Sequence, residues 1–435
     1  MQAKSFLVCL LATASALTVC AWLFDGHRPA SPAPPPTLQF RPFNYPGMKT
    51  ATSPPPARTS PQKLIRVGVL QERTDRITLT VDGAYSVRRD GEARPLDSFP
   101  RLSAARVVAT KNGIRIGERE FKETSLELIP AASPAAWIDG HQYRGTVRII
   151  RQSASMILAV NVLSLDDYLA SVVDSEMPLE FGDAARQAQA IVARTYALYQ
   201  MQQSGAGSPF DLHASTRSQK YLGFQFRADD GRMLAGESAE SRRIVEATRG
   251  QVLTFRGRLF CTYYCAVCGG RTLNGSEMFG DAAPPLRSVA CSWCAAAKNY
   301  RWSVELPKST FAELAERHFR QEGTLLGKLR SVRSVGTASP GNMPEFEFSG
   351  DRGRQRVTGD VVRRIFKDHG VMSPRMSVTE RRSTWLLSGS GHGHGAGMCQ
   401  WGARGMGQSG MTYRQILSHY YPGSDLTTVA GFSGL

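Results

Sequence analysis

From Lys63 onward the apolar positions alternate. "KLIRVGVL", "RITLTVDGAYSV", "VVATKNGIRIG", "YRGTVRIIR" and "SMILAVNVL" put β-branched residues at every second position and break at Asp-Gly and Asn-Gly turns. This predicts a mostly antiparallel β region over 63–163. The period then changes. In "SLDDYLASVVDSEM", Leu165, Tyr168, Leu169, Val172 and Val173 share one helical face, with Ser164 and Asp167 at capping-box spacing, which predicts a helix over 165–176. Pro178 forces Met177 out of the helical region and leaves Glu176 at the last turn. A second helix is predicted from Asp183 to Gln203, with Ala184, Ala188, Ile191, Thr195 and Leu198 on its buried stripe. Strand signals return in "GQVLTFRGRLFCTYYCAV", and "STFAELAERHF" reads as a short helix. The glycines of "GHGHGAGMCQWGARGMGQSG" specify an irregular loop before a terminal helix in "TYRQILSHYY". The expected fold class is α+β: mostly antiparallel strand regions, a central helical pair and a C-terminal helix.

Composition changes this picture mainly at the N-terminus. "SFLVCLLATASALTVCAWLF" runs twenty residues without a charge after Lys4, so residues 1–24 read as an export signal or membrane anchor. Residues 25–62 are crowded with Pro, Ser, Ala and Thr and read as a semi-extended tether. The remaining 63–435 divides into a β-rich part to 163, a helical and cysteine-bearing part over 164–300, an unread insertion over 301–382, and a Gly/His loop with the terminal helix over 383–435. The chain is therefore expected outside the cytoplasm, periplasmic or extracytoplasmic, touching membrane only through its N-terminal segment. Its 53 Lys and Arg against 37 Asp and Glu, a net +16, suit an anionic polymer. Without a Lys/Arg run or an RNA-binding aromatic signature, nucleic acid is not the expected partner.

Three groups of residues carry candidate chemistry. Glu176 closes a helix, where the negative end of the dipole and the neighbours Met177, Pro178 and Leu179 favour the neutral acid. Such an acid can protonate a glycosidic oxygen; a solvated surface Glu is the plain alternative. Arg194 flanks the buried stripe of the second helix and either pairs with a carboxylate or faces a cleft. Gln189 and Tyr196 share another face of that helix and offer polar and aromatic groups to the same cleft. Cys265-x-x-Cys268 and Cys291-x-x-Cys294 have the spacing of two metal knuckles, which suits a structural zinc; two disulfides are the alternative in an exported protein. His392 and His394 offer a third reading, a zinc hydrolase.

"VNVLSLDDYLASVVDSEMP", "AARQAQAIVARTYAL", "YYCAVCGGRT", "GHGAGMCQWGARGM" and "YRQILSHYYPG", in that order, resemble successive motifs of the sporulation stage II protein D and amidase-enhancer LytB family. The resemblance implies a wall-acting protein. It implies a lytic transglycosylase that cuts peptidoglycan strands lacking stem peptides. One Glu, here Glu176, would protonate the leaving oxygen and then act as base while the sugar's C6 hydroxyl closes a 1,6-anhydro ring, so no second carboxylate is needed. It also assigns Arg194, Asp211, His394 and Gln400 to the glycan site and makes Trp401 a stacking face or plain core. Many relatives have a His where this chain has Cys265, so a mixed ligand set is expected to have become all cysteine. Cys399, where relatives carry Ser, is expected to be a buried free thiol. The second functional class is a non-catalytic glycan binder that enhances a cell-wall amidase. Convergence of Glu176, Arg194 and His394 on one groove would favour the enzyme; dispersal would favour the binder.

Overall fold

The alternation after Lys63 is realised as strands with one face on a core. Arg76–Val81 buries Ile77, Leu79 and Val81 and turns Arg76 and Thr78 outward, the two-residue period of a half-buried strand. The computed structural model describes residues 63–70, 74–205, 207–336 and 339–429. The expected apolar segment 1–24 and tether 25–62 lie outside these residues. Among the described residues no helix is long and apolar enough to cross a membrane.

Two sheets share one hydrophobic cluster. The seven-stranded sheet runs Leu212–His213, Leu64–Gly68, Ile157–Ser164, Thr146–Arg151, Ser125–Pro130, Tyr85–Arg89, Pro95–Phe99. An eight-stranded sheet is built from the intervening strands, from Arg76–Val81 to Arg119–Phe121, and extended by Gln225–Arg227 and Met233–Ala235. Their pairings are antiparallel, save that Leu64–Gly68 lies parallel to Leu212–His213. Ile157–Ser164 is buried on both faces, since Leu158, Val160 and Val162 meet Ile150 and Phe210 on the side away from the main cluster.

That strand leads directly into α1 (Leu165–Glu176), capped by Ser164, whose Oγ accepts the Asp167 N–H at 3.1 Å. Met177 is extended (φ −134°, ψ 109°), as Pro178 requires. A short 3-10 turn then reaches Gly182, held at φ 79°, and α2 (Asp183–Gln203) begins. The stripe expected on α2 is too narrow. From Ala185 to Leu198 nearly every residue is buried, Arg186, Gln189 and Arg194 included, while Ala184 is only half-buried. A helix surrounded on all sides is central, so its polar residues have interior tasks.

α3 (Ala239–Ala247) carries a reciprocal capping box between Ser238 and Ser241. α4 (Gly275–Phe279) follows the first cysteine-bearing segment. Residues 301–390, which take in the insertion over 301–382 and the short helix expected in "STFAELAERHF", form two three-stranded antiparallel sheets with α5 (Lys308–Gln321) and α6 (Gly359–Phe366) around a cluster of their own. Phe311 stacks there on Phe348, Phe366 and Trp385.

The irregular loop expected over 391–410 ends at Gly397. Met398–Cys399 pairs in parallel with Tyr264–Cys265, and α7 (Gln400–Gln408) follows. Its glycines serve close packing instead of turns: a Cβ on Gly402 would lie 1.9 Å from Tyr420 Oη, and one on Gly405 2.5 Å from the Trp293 carbonyl. α8 (Tyr413–Tyr420) has a capping box between Thr412 and Gln415 and covers the cysteine region.

Candidate active site and thiol cluster

Glu176 is half-buried at the end of α1, and two distant segments meet its carboxylate. Oε1 accepts the Lys220 N–H at 2.9 Å, and Oε2 faces Gln400 Nε2 at 3.3 Å. Gln400, at the first turn of α7, also donates to Gln189 Oε1 on α2 at 3.4 Å. Tyr168 Oη donates to Gln219 Oε1 at 3.0 Å. Around this centre, Gln189 Nε2, Gln219 Nε2 and Tyr264 Oη are buried and make no hydrogen bond of good geometry among the described residues, while Tyr264 lies close to both Glu176 and Gln219. Burial, then the nearby Glu176 and Tyr168, push the Tyr264 phenol well above its ordinary value, so it keeps its proton as a donor. Unsatisfied buried polar groups are costly. Three such groups stand beside one carboxylate.

The neighbouring acids offer no second reacting group. Asp174 is ion-paired with the buried Arg186, and Glu180 is exposed in the turn after Pro178.

The structure thus brings Glu176, Gln189 and Gln400 together and takes three expected residues elsewhere. Arg194, 1 % exposed, points to the C-terminal end of α3, where it donates to the carbonyls of Thr248 (2.8 Å), Gln251 (3.2 Å) and Val245 (3.3 Å) and lies 3.6 Å from Asp166. A buried cation there satisfies orphan carbonyls and the negative end of the dipole. Asp211 is pinned by Arg66 at 2.6 Å and Ser204 at 2.8 Å, tying the edge of the seven-stranded sheet to the end of α2. Tyr196 packs edge-on against Tyr263, and burial raises its phenol to about 12. His394 acts one residue away from the carboxylate. Its Nε2 donates to the Tyr264 carbonyl at 2.6 Å and its Nδ1 accepts the Ala396 N–H at 3.2 Å. Both ring nitrogens are used by backbone, and burial lowers the imidazole to about 4, so it is neutral and holds Tyr264 in place. His392 meets Asn299 and shares no metal geometry with His394. Trp401 packs against Phe181, with Arg404 over its ring.

The sequence reading missed Tyr264, Gln219, Tyr168 and the Lys220 N–H. Gln219 and Lys220 belong to the same "STRSQKYLG" loop as the neighbours of Asp211, so the loop was the right signal and the residue was not.

The thiol cluster also differs from its expected membership. The Sγ atoms of Cys268, Cys291, Cys294 and Cys399 lie within 4.8 Å of one another, all buried, and Cys265 is outside the group. The reason is backbone geometry. Cys265 lies on the short strand beside Cys399, and the chain bends at Ala266 before Val267 bridges to His392, which brings Cys268 and not Cys265 to the 291–294 turn. Cys291 and Cys294 flank a turn, as a knuckle requires, and strand pairing brings in Cys399. The donors fit zinc. Cys268 and Cys294 sulfurs are 3.7 Å apart, while thiolates at 2.3 Å from a tetrahedral ion stand about 3.8 Å apart. Hydrogen bonds among the thiols push Cys294 well below and Cys268 well above the ordinary range.

Residues 153–255 match the family profile described as Stage II sporulation protein. The chain is 27% identical over 372 residues to an uncharacterized protein of Brachyspira hyodysenteriae, covering 84% of this chain and 93% of that protein. It is 26% identical over 279 residues to Stage II sporulation protein D of Bacillus amyloliquefaciens, covering 63% of this chain and 77% of that protein. With the Amidase enhancer of Bacillus subtilis it is 27% identical over 336 residues, covering 67% of this chain but 45% of that protein. The chain is thus similar to stage II sporulation protein D and the amidase enhancer, and the family profile matches it over residues 153–255.

Proposed function

We propose that this protein acts on the cell wall from outside the cytoplasm and is a lytic transglycosylase of peptidoglycan glycan strands, with Glu176 as its single acid/base. The observation that supports this reading is one carboxylate, held by Lys220 N–H and Gln400, with the polar groups of Gln189, Gln219 and Tyr264 gathered beside it. In this mechanism Glu176 gives its proton to the glycosidic oxygen as the bond to C1 breaks. The resulting carboxylate then takes the proton of the same sugar's C6 hydroxyl as that oxygen bonds to C1. No second carboxylate is required, in keeping with Asp174 being paired with Arg186. The Tyr264, Gln219 and Gln189 groups would meet sugar hydroxyls, and His394 would position Tyr264. Cys268, Cys291, Cys294 and Cys399 would hold a structural zinc, which supplies a closed coordination shell and no open position for chemistry.

A non-catalytic binder that enhances a wall amidase is the second reading. It is favoured by the Amidase enhancer among the relatives and by Arg194, which does not converge with Glu176. The two are separated by incubating the protein and its Glu176→Gln variant with purified denuded glycan strands and following 1,6-anhydro ends by mass spectrometry. The transglycosylase forms them, and the variant loses them by at least about 10²-fold. A folded, glycan-binding wild type that yields none is the binder.

A further inference from the structure

Cys399 and Gln400 are adjacent in the chain, one in the thiol cluster and the other against Glu176. Cys399 Sγ sits at the N-cap of α7, where it accepts the N–H of Gly402 at 3.3 Å, and it also accepts the N–H of Cys268 at 3.3 Å. Two backbone donors fix this sulfur among the other three. Gly402 keeps the space clear, because a Cβ there would lie 2.6 Å from Cys291 Sγ.

The surrounding charge suits a metal tetrathiolate. Four thiolates on a divalent ion carry a net charge of about −2. Arg375 is half-buried and lies near Cys268, beside Arg271. Neither arginine has an ion pair among the described residues; Arg271 reaches only Ser288 Oγ, at 3.5 Å. A buried unpaired guanidinium is costly, and an anionic centre nearby removes that cost.

We propose that Cys399, in place of Cys265, is the fourth ligand of a zinc centre, and that this ligation holds Gln400 against Glu176. Gln400 is then a positioning residue, and the metal ties the segments at 268, 291–294 and 399 to the carboxylate. The ligation stands on geometry alone; its consequence for turnover rests on the transglycosylase reading above.

The full-length protein tests this with Cys399→Ser and Cys265→Ser compared to wild type. Serine at 399 keeps an oxygen for the Gly402 N–H, and circular dichroism checks that both variants fold. With cobalt in place of zinc, wild type and Cys265→Ser give the same thiolate-to-metal charge-transfer absorption. Cys399→Ser loses about a quarter of it, one thiolate in four, and retains zinc at least about tenfold less tightly. Stripping zinc from the wild type raises deuterium uptake in peptides covering 174–182 and 398–408, a readout independent of catalysis. On glycan strands Cys399→Ser lowers kcat at least about tenfold with KM within about twofold.

A full cobalt spectrum in Cys399→Ser with a reduced one in Cys265→Ser overturns the ligand assignment. So does a wild type that binds no metal and carries two disulfides by mass spectrometry. Unchanged deuterium uptake on stripping overturns the positioning role. A wild type with the expected spectra and uptake but no turnover sustains the metal proposal and overturns the transglycosylase reading instead.

Discussion

His394 shows how much a single ring can hold. Its two nitrogens secure the Tyr264 carbonyl and the Ala396 N–H, and its pKa falls from the ordinary 6.5 to about 4 because burial disfavours the cation. The unfolded chain takes up a proton near pH 6.5 and the native state resists until about 4. The stability this ring contributes is fully present above pH 6.5 and drains away as pH falls towards 4, by roughly 3 kcal/mol. Thermal melts from pH 7 to 4 should show that loss in the wild type, and a His394→Asn variant should follow a flatter curve over the same interval. The same residue marks a limit of reading sequence. "GHG" announces a polar ring beside a flexible backbone, but whether it faces a sugar or a carbonyl depends on Tyr264, 130 residues away. Arg194 has the same ambiguity. Its place beside an apolar stripe fits a cleft or a helix end equally well, and only the fold supplies the end of α3. Glu176 was legible because Met177-Pro178 stops α1 behind it, a local effect that needs no tertiary information.

At the scale of elements, the most legible parts have one clean period. α1 and α2 end where the sequence places them, and the strands of 63–163 follow their alternation. α7 was hidden by its three glycines, which read as loop although each lies within the helix. Packing separates them. Gly402→Ala should destabilise the protein by several kcal/mol, since its Cβ meets Tyr420 Oη and Cys291 Sγ. Gly407→Ala meets Ala184 Cβ at 3.5 Å and the Ala185 backbone N at 3.8 Å, both ordinary contacts. It should be neutral or stabilising by about 0.5–1 kcal/mol through helix propensity. Denaturant titration of the two variants checks the contrast, and equal losses would sink it. Within the insertion over 301–382 the helix of "STFAELAERHF" was legible and the strands were not: Leu329–Val335 has no fully buried residue, so it shows no two-residue alternation.

At the scale of the whole molecule, the net charge of +16 is not spent in its ion pairs, because opposite charges there cancel one for one. A surplus of that size should draw the protein to the carboxylates of wall material and weaken with salt. Pelleting with insoluble peptidoglycan should fall steeply from low salt to roughly 0.5 M, where screening has shortened to a few Å. Glu176→Gln should pellet like the wild type, since one side chain barely alters the total. Salt-insensitive binding in both would assign recognition to the cleft alone.

The contact between Glu176 and Gln400 spans 224 positions of the chain. A polypeptide still being made acquires the helix bearing Glu176 more than two hundred residues before Gln400 and Cys399 follow. A truncated product ending before residue 399 should therefore keep that helix and lack the Gln400 contact to its last carboxylate.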